Sequence, residues 1–245
     1  MSASTSLGWV STTLEGTPNP EAPNPQLPIV QKLRVRYAKR GRLRFTSHRD
    51  FGRAFERAVR RAKVPIGYSS GFTPHPKISY ANAAPTGAAS EAEFLEIGLT
   101  RECDPDAVRE GLDAALPPGL DIVAVVPATP GTFADRLEAS RWCIEIPGAT
   151  GLEDAATGFL AAPAVTVERM TKRGLRDIDV RGAVDTLVVH GDRVDVVVRS
   201  MIPTVRPDDV VGALRQFGAV VSGATIATRI EQGPLVDGVV VDPLT

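Results

Sequence analysis

Cysteine is almost absent. Cys103 and Cys143 are the only two in 245 residues, 40 positions apart and in no C-x-x-C pattern. That excludes a thiol-built metal or redox centre and fits a reducing compartment, where free cysteines serve as small core residues. No apolar run approaches the length of a membrane span, and no basic, then apolar, leader opens the chain, so a cytoplasmic protein without membrane contact is expected. The phosphate-binding G-x-x-x-x-G-K-[ST] loop, the dinucleotide G-x-G-x-x-G turn and the H-E-x-x-H zinc helix are missing. Nothing in the sequence calls for a cofactor. Histidine occurs three times.

Net charge is also nearly absent, at −1, but this balance conceals a split. Residues 32–63 hold thirteen of the 28 Lys and Arg against two acids, Asp50 and Glu56; the other 213 residues hold 15 basic and 27 acidic side chains. Such asymmetry within one chain points to an anionic partner, of which RNA is the first candidate. The bland reading is a solvated face with local pairing, such as Glu56 with Arg60 four residues on. A third reading has the basic face meeting an acidic protein surface, including the chain's own acidic second half.

Residues 1–30 carry Pro18, Pro20, Pro23, Pro25 and Pro28 among small polar residues and predict a disordered, Pro-rich tail. The folded part then begins. Leu33, Val35 and Tyr37 alternate with Arg34 and Arg36, which predicts a strand with one apolar and one cationic face. Lys39, Arg40, Gly41 and Arg42 form a basic turn, followed by Arg44. Ser47-His48-Arg49-Asp50 reads as a helix start, with Ser47 as cap and Asp50 in a capping-box position. Phe51, Phe55 and Val59, with Ala54, Ala58 and Ala62, make the apolar face; Arg49, Arg53, Arg57, Arg60 and Arg61 take much of the rest. Pro65 ends the helix.

The remaining elements predict an α+β fold of two tandem ferredoxin-like (βαββαβ) units, residues 31–130 and a looser 140–245, with one continuous mixed sheet as the alternative. In the first unit, strands at 78–83 and 93–99 precede a helix opened by Asp104-Pro105 and a strand at 120–126. The second has strands at 142–146, 165–169, 186–189 and 194–198, a helix at 152–161, a helix opened by Arg206-Pro207-Asp208, and a closing strand region at 220–230.

Several residues are candidates for chemistry. The strand and helix arginines suit phosphates through planar, bidentate pairing. The nucleic-acid set is Arg34, Arg36, Lys39, Arg40, Arg42, Arg44, Arg49, Arg53, Arg57 and Arg60 with Phe72, His75 and Lys77. His48 can serve as a general acid/base in phosphodiester cleavage, with Arg44 or Arg49 stabilising the developing charge; it can equally bind phosphate at the helix start or merely pack. In Gly71-Phe72-Thr73-Pro74-His75-Pro76-Lys77, two prolines flank a histidine and stiffen a loop in which Phe72 can stack on a base or fill the core. Glu91, Glu93 and Glu96 read mainly as partners of the basic helix, with paired-carboxylate catalysis the lesser alternative. Lys172-Arg173-Gly174, Asp177-Ile178-Asp179 and Thr204-Val205-Arg206-Pro207-Asp208 read as loop and cap chemistry, and His190 as an exposed hairpin residue.

Arg44-Phe45-Thr46-Ser47-His48-Arg49-Asp50, the Gly71–Ser79 motif and Ser90-Glu91-Ala92-Glu93-Phe94-Leu95 together resemble the radical-SAM-linked family of unknown function, domain of unknown function 2344. Lys172-Arg173-Gly174 and Val205-Arg206-Pro207-Asp208 are similar to its later landmarks, so the resemblance spans about residues 31–245. It implies a domain found fused behind a radical SAM enzyme or alone, often encoded beside an RNase E/G-type enzyme. The chain has no radical SAM cysteine motif, so the stand-alone form is implied. The expected role is an RNA-binding module in RNA processing or modification, not catalytic on its own, acting with a radical SAM or RNase partner. The family supplies no catalytic residues to transfer. In outline the element order is also similar to that of repeat-processing CRISPR endonucleases, which keeps a nuclease using His48 in view.

Overall fold

The computed structural model describes residues 27–70, 72–171 and 174–245. Most of the Pro-rich tail, Gly71, Lys172 and Arg173 lie outside them. The fold is mixed α+β, built on a large, mostly antiparallel sheet with few helices.

The first half contains β1 (Gln31–Lys39), α1 (His48–Arg61), β2 (Ile78–Ala81), β3 (Ala89–Leu99), α2 (Pro105–Ala115) and β4 (Leu120–Pro127). The caps read from sequence form. Ser47 Oγ accepts a hydrogen bond from Asp50 N at 3.2 Å, and Asp104 accepts from Asp106 N at 3.1 Å, so each helix start has a satisfied donor. Leu33, Val35 and Tyr37 meet Phe51, Phe55, Val59, Val108 and Leu112 in one core between the sheet and the two helices.

The second half contains β5 (Ala139–Glu145), α3 (Leu152–Ala161), β6 (Thr166–Thr171), β7 (Gly174–Asp179), α4 (Val180–Ala183), β8 (Val184–His190), β9 (Arg193–Arg199), α5 (Pro207–Gln216), β10 (Ile226–Gly233), β11 (Leu235–Val236) and β12 (Val239–Val240). A second core gathers Trp142, Ile144, Phe159, Val196, Val210 and Leu214. The closing strand is shorter than the expected 220–230 region and starts later, at Ile226. The ribbon β6–β7 stands off the main sheet. Nearly every residue of β7 faces solvent, so it carries no alternation of apolar and polar residues by which a strand is recognised.

The strands of the two halves join in one sheet. Their order is β4-β1-β3-β10-β5-β9-β8, with β2 also on β3. The halves join where β10 runs parallel to β3, pairing Thr228 with Ala89 and Arg229 with Ser90; β2 pairs farther along β3, between Ile78–Ile97 and Ala81–Phe94. All other pairings in the sheet are antiparallel.

The cationic face expected on β1 forms but does not face solvent. An antiparallel sheet commonly leaves one face wet. Here Phe133 and Leu137 pack with Phe94 against the side away from the helices, joined by the C-terminal Leu244. Arg34 is only 1% exposed and Lys39 is also buried.

Phe55 is fully buried while Arg57 is exposed on the same helix. Phe55→Ala should cost about 3–5 kcal/mol through lost burial and a residual cavity, whereas Arg57→Ala should stay within about 0.5 kcal/mol. Urea denaturation of the two variants checks this contrast.

Candidate nucleic-acid interface

The basic window divides into two populations. The cations of β1, and Arg40 just after it, are paired within the molecule. Arg34 donates through Nη1 to Thr129 Oγ1 at 2.6 Å and through Nη2 to the Thr129 carbonyl at 2.8 Å. Its guanidinium lies 4.6 Å from the Phe133 ring centroid, and its Nε is 3.6 Å from Glu96. Arg36 donates to the Glu91 carbonyl at 2.9 Å and approaches Asp242 at 3.7 Å. Lys39 Nζ lies 3.5 Å from the Pro85 carbonyl, and burial pushes its pKa down. Arg40 is clamped by the Glu91 carboxylate and by Asp121 at 2.8 Å, and the Glu91 hydrogen bonds push its pKa up. Arg34 and Lys39 therefore leave the nucleic-acid set, because neither reaches solvent, and Arg36 and Arg40 enter it already paired.

The second population is open. After Gly41, whose φ of +54° sets the turn, a short 3-10 turn (Gly41–Phe45) carries Arg42 and Arg44, and the Arg44 guanidinium stacks 4.6 Å over the exposed Phe45 ring. Along α1, Arg49, Arg53, Arg57 and Arg60 are all exposed. None of these six arginines joins a salt bridge among the described residues, and the proposed Glu56–Arg60 pair does not form. Arg49, Arg53 and Arg57 fall four residues apart, about 6 Å of helix rise per step, so they form one row.

The acidic side chains expected to face this helix are used elsewhere. Glu91 holds Arg40, Glu96 lies 3.3 Å from Lys32 and also faces Arg34, and Glu93 accepts from Arg229 at 3.0 Å. Asp242, the second-half acid that does meet the basic window, reaches β1 rather than α1. The helix arginines are thus not neutralised by the acidic half of the chain.

His48 is the first residue of α1 and is exposed; its ring sits edge-on to Tyr80, with centroids 4.6 Å apart. Burial, with the nearby Glu56 carboxylate, pushes the Tyr80 hydroxyl up to about 12. The far end of α1 leads into the Pro-rich loop. There Lys77 N donates to the Gly67 carbonyl and Ser69 N to the His75 carbonyl, each at 2.8 Å, and His75 N donates to Ser69 Oγ at 3.0 Å. These bonds pin the loop's base, while Phe72, His75 and Lys77 are exposed at its surface. Phe72 is not a core residue. His190 is exposed at its hairpin, and among the described residues no three His, Cys, Asp or Glu side chains gather to hold a metal ion.

Sequence reasoning missed Arg229. It is 6% exposed, held by Glu93 from 136 positions away, and no local pattern announces such a pair.

A family model described as "Uncharacterized protein conserved in bacteria (DUF2344)" matches residues 32–207, which takes in both basic populations and the loop. The chain belongs to this family. No match was found among curated proteins. Among solved structures, the crystal structure of an unknown protein from Galdieria sulphuraria is similar at 18% identity, covering 81% of this chain and 98% of that one, with a TM-score of 0.25. No helix among the described residues is long and apolar enough to cross a membrane.

Two outcomes follow. Glu93→Ala leaves Arg229 buried without its carboxylate and should cost about 3–5 kcal/mol in chemical denaturation. Tyr80 has a folded pKa above its unfolded value near 10. Its contribution is therefore complete below that pH and is lost as pH rises towards about 12, so Tyr80→Phe should flatten the alkaline fall in denaturation midpoint over that interval.

Proposed function

We propose that this chain is an RNA-binding module that acts in RNA processing or modification beside a separate enzyme, of the radical SAM or RNase E/G type, in the cytoplasm. The observation that carries this reading is the row of exposed arginines on α1, with exposed Arg42 and half-buried Arg44 on the turn before it, none of which is in a salt bridge among the described residues. Cations left solvated on a rigid helix are placed to replace the counterions of a phosphate backbone. Arg44 stacked on exposed Phe45, and Phe72 with His75 on the pinned loop, add flat surfaces suited to unpaired bases. His48, at the helix start, is read as a phosphate contact. The serial orders β4-β1-β3-β2 and β10-β5-β9-β8 support reading each half as a ferredoxin-like unit, the β6–β7 ribbon being an insertion into the second.

The test is RNA binding across a salt series for the native protein and for Arg53→Gln/Arg57→Gln/Arg60→Gln. Native affinity should fall steeply with salt, and the triple variant should lose about two units of the log–log slope if three single-strand phosphate contacts disappear. Unchanged binding by the variant would remove the helix from the interface. RNA cleavage by the native protein that is lost in His48→Ala would replace the accessory reading with a nuclease.

A further inference from the structure

A cavity of about 560 Å³ lies at the junction of the two halves, away from the arginine row of α1. Its volume falls in the range, about 300–1,000 Å³, that accepts a small organic ligand. One part of its lining is apolar, with Trp142, Leu137, Val198 and Val205; another is polar, with Arg206, Arg229, Ser140 and Gln232.

Arg229 sets the chemistry. Its Nη1 donates to the Asn82 carbonyl at 2.7 Å and to Glu93 at 3.0 Å, and its guanidinium lies 4.8 Å from the Trp142 ring centroid. Its Nε is buried with no hydrogen-bond partner. Arg34 has an orphaned Nε as well, but that side chain lines no part of this cavity. Behind the wall, buried Lys39 reaches towards Pro85, itself a lining residue. Glu93 is the carboxylate in contact with Arg229, and buried Lys39 makes no ion pair among the described residues. At the mouth, Arg206 is exposed and in no salt bridge among the described residues. Arg199 is neutralised by Asp185, and Asp135 is the acid among the lining residues. A buried guanidinium with a donor left unmade is costly unless a further acceptor completes it.

The geometry points to this cavity as the binding site of a small organic molecule bearing an oxyanion, a phosphate or a carboxylate, with the charged group on Arg229 and Arg206 and the body against Trp142 and the aliphatic wall. The site is separate from the proposed RNA surface. A partly apolar cavity of this size suits a small organic molecule.

The chain has two tryptophans, so Trp9→Phe leaves Trp142, in the cavity wall, as the sole tryptophan, excited selectively at about 295 nm. This protein would be titrated with adenosine monophosphate for the phosphate arm, benzoate for the carboxylate arm, and uncharged adenosine. A saturable change in Trp142 emission with at least one anion and none with adenosine is expected, the responding arm naming the group. Arg206→Gln, at a solvent-exposed position, should weaken that binding about tenfold. The α1 triple variant should bind the anion unchanged, which separates this site from the RNA surface whatever the fate of the latter. Arg229→Gln should abolish binding if the variant folds; because that residue is buried, Arg206→Gln carries the test. No response to either anion at millimolar concentration, an equal response to adenosine, or an unaltered affinity in Arg206→Gln would overturn the assignment.

Discussion

The carboxylates of β3 decide how this protein distributes its charge. Glu96 faces Arg34 across the β1–β3 ladder, Glu91 clamps Arg40, and Glu93 reaches across to Arg229 on β10. A cation buried in a sheet without such a partner would carry a desolvation cost that packing does not recover. With these acids in place, β1 can be buried on both faces, the second half can dock on β3 with an arginine in the joint, and a continuous sheet results.

That pairing sorts the basic window into structural and available charge. Every β3 acid that neutralises a strand cation is one fewer to face α1, and the described acids of the second half do not reach the helix either. The outcome is an overall charge near zero with a local row of solvated arginines. A row of this kind acts at short range under physiological salt, where screening lengths are about 8 Å, so it favours close contact with a backbone over long-range steering.

The junction between the halves produces a second consequence. β10 and β2 occupy successive stretches of one edge of β3, and Arg229 sits in the β10 stretch. The polypeptide between β2 and β3 and that between β9 and α5 then wall off the cavity in front of Arg229. The arginine whose salt bridge closes the sheet therefore also lines a candidate ligand site, distinct in position from the helix surface.

By itself the sequence determined the local elements. Ser47 and Asp104 marked helix starts because their side chains satisfy orphan amide donors there, and the spacing of Phe51, Phe55 and Val59 identified the face α1 would bury. The exposed arginines of α1 were legible for the same reason: a helix with one apolar stripe must turn the others to solvent. Tertiary structure alone decided the fate of Arg34, Arg36, Lys39 and Arg40, since alternation along β1 separates two faces but does not say whether the polar one meets water or other chain. It also decided the continuity of the sheet, the stand-off of β6–β7 and the burial of Arg229, because each depends on pairing between residues far apart in sequence, and a local pattern carries no record of a partner more than a hundred positions away.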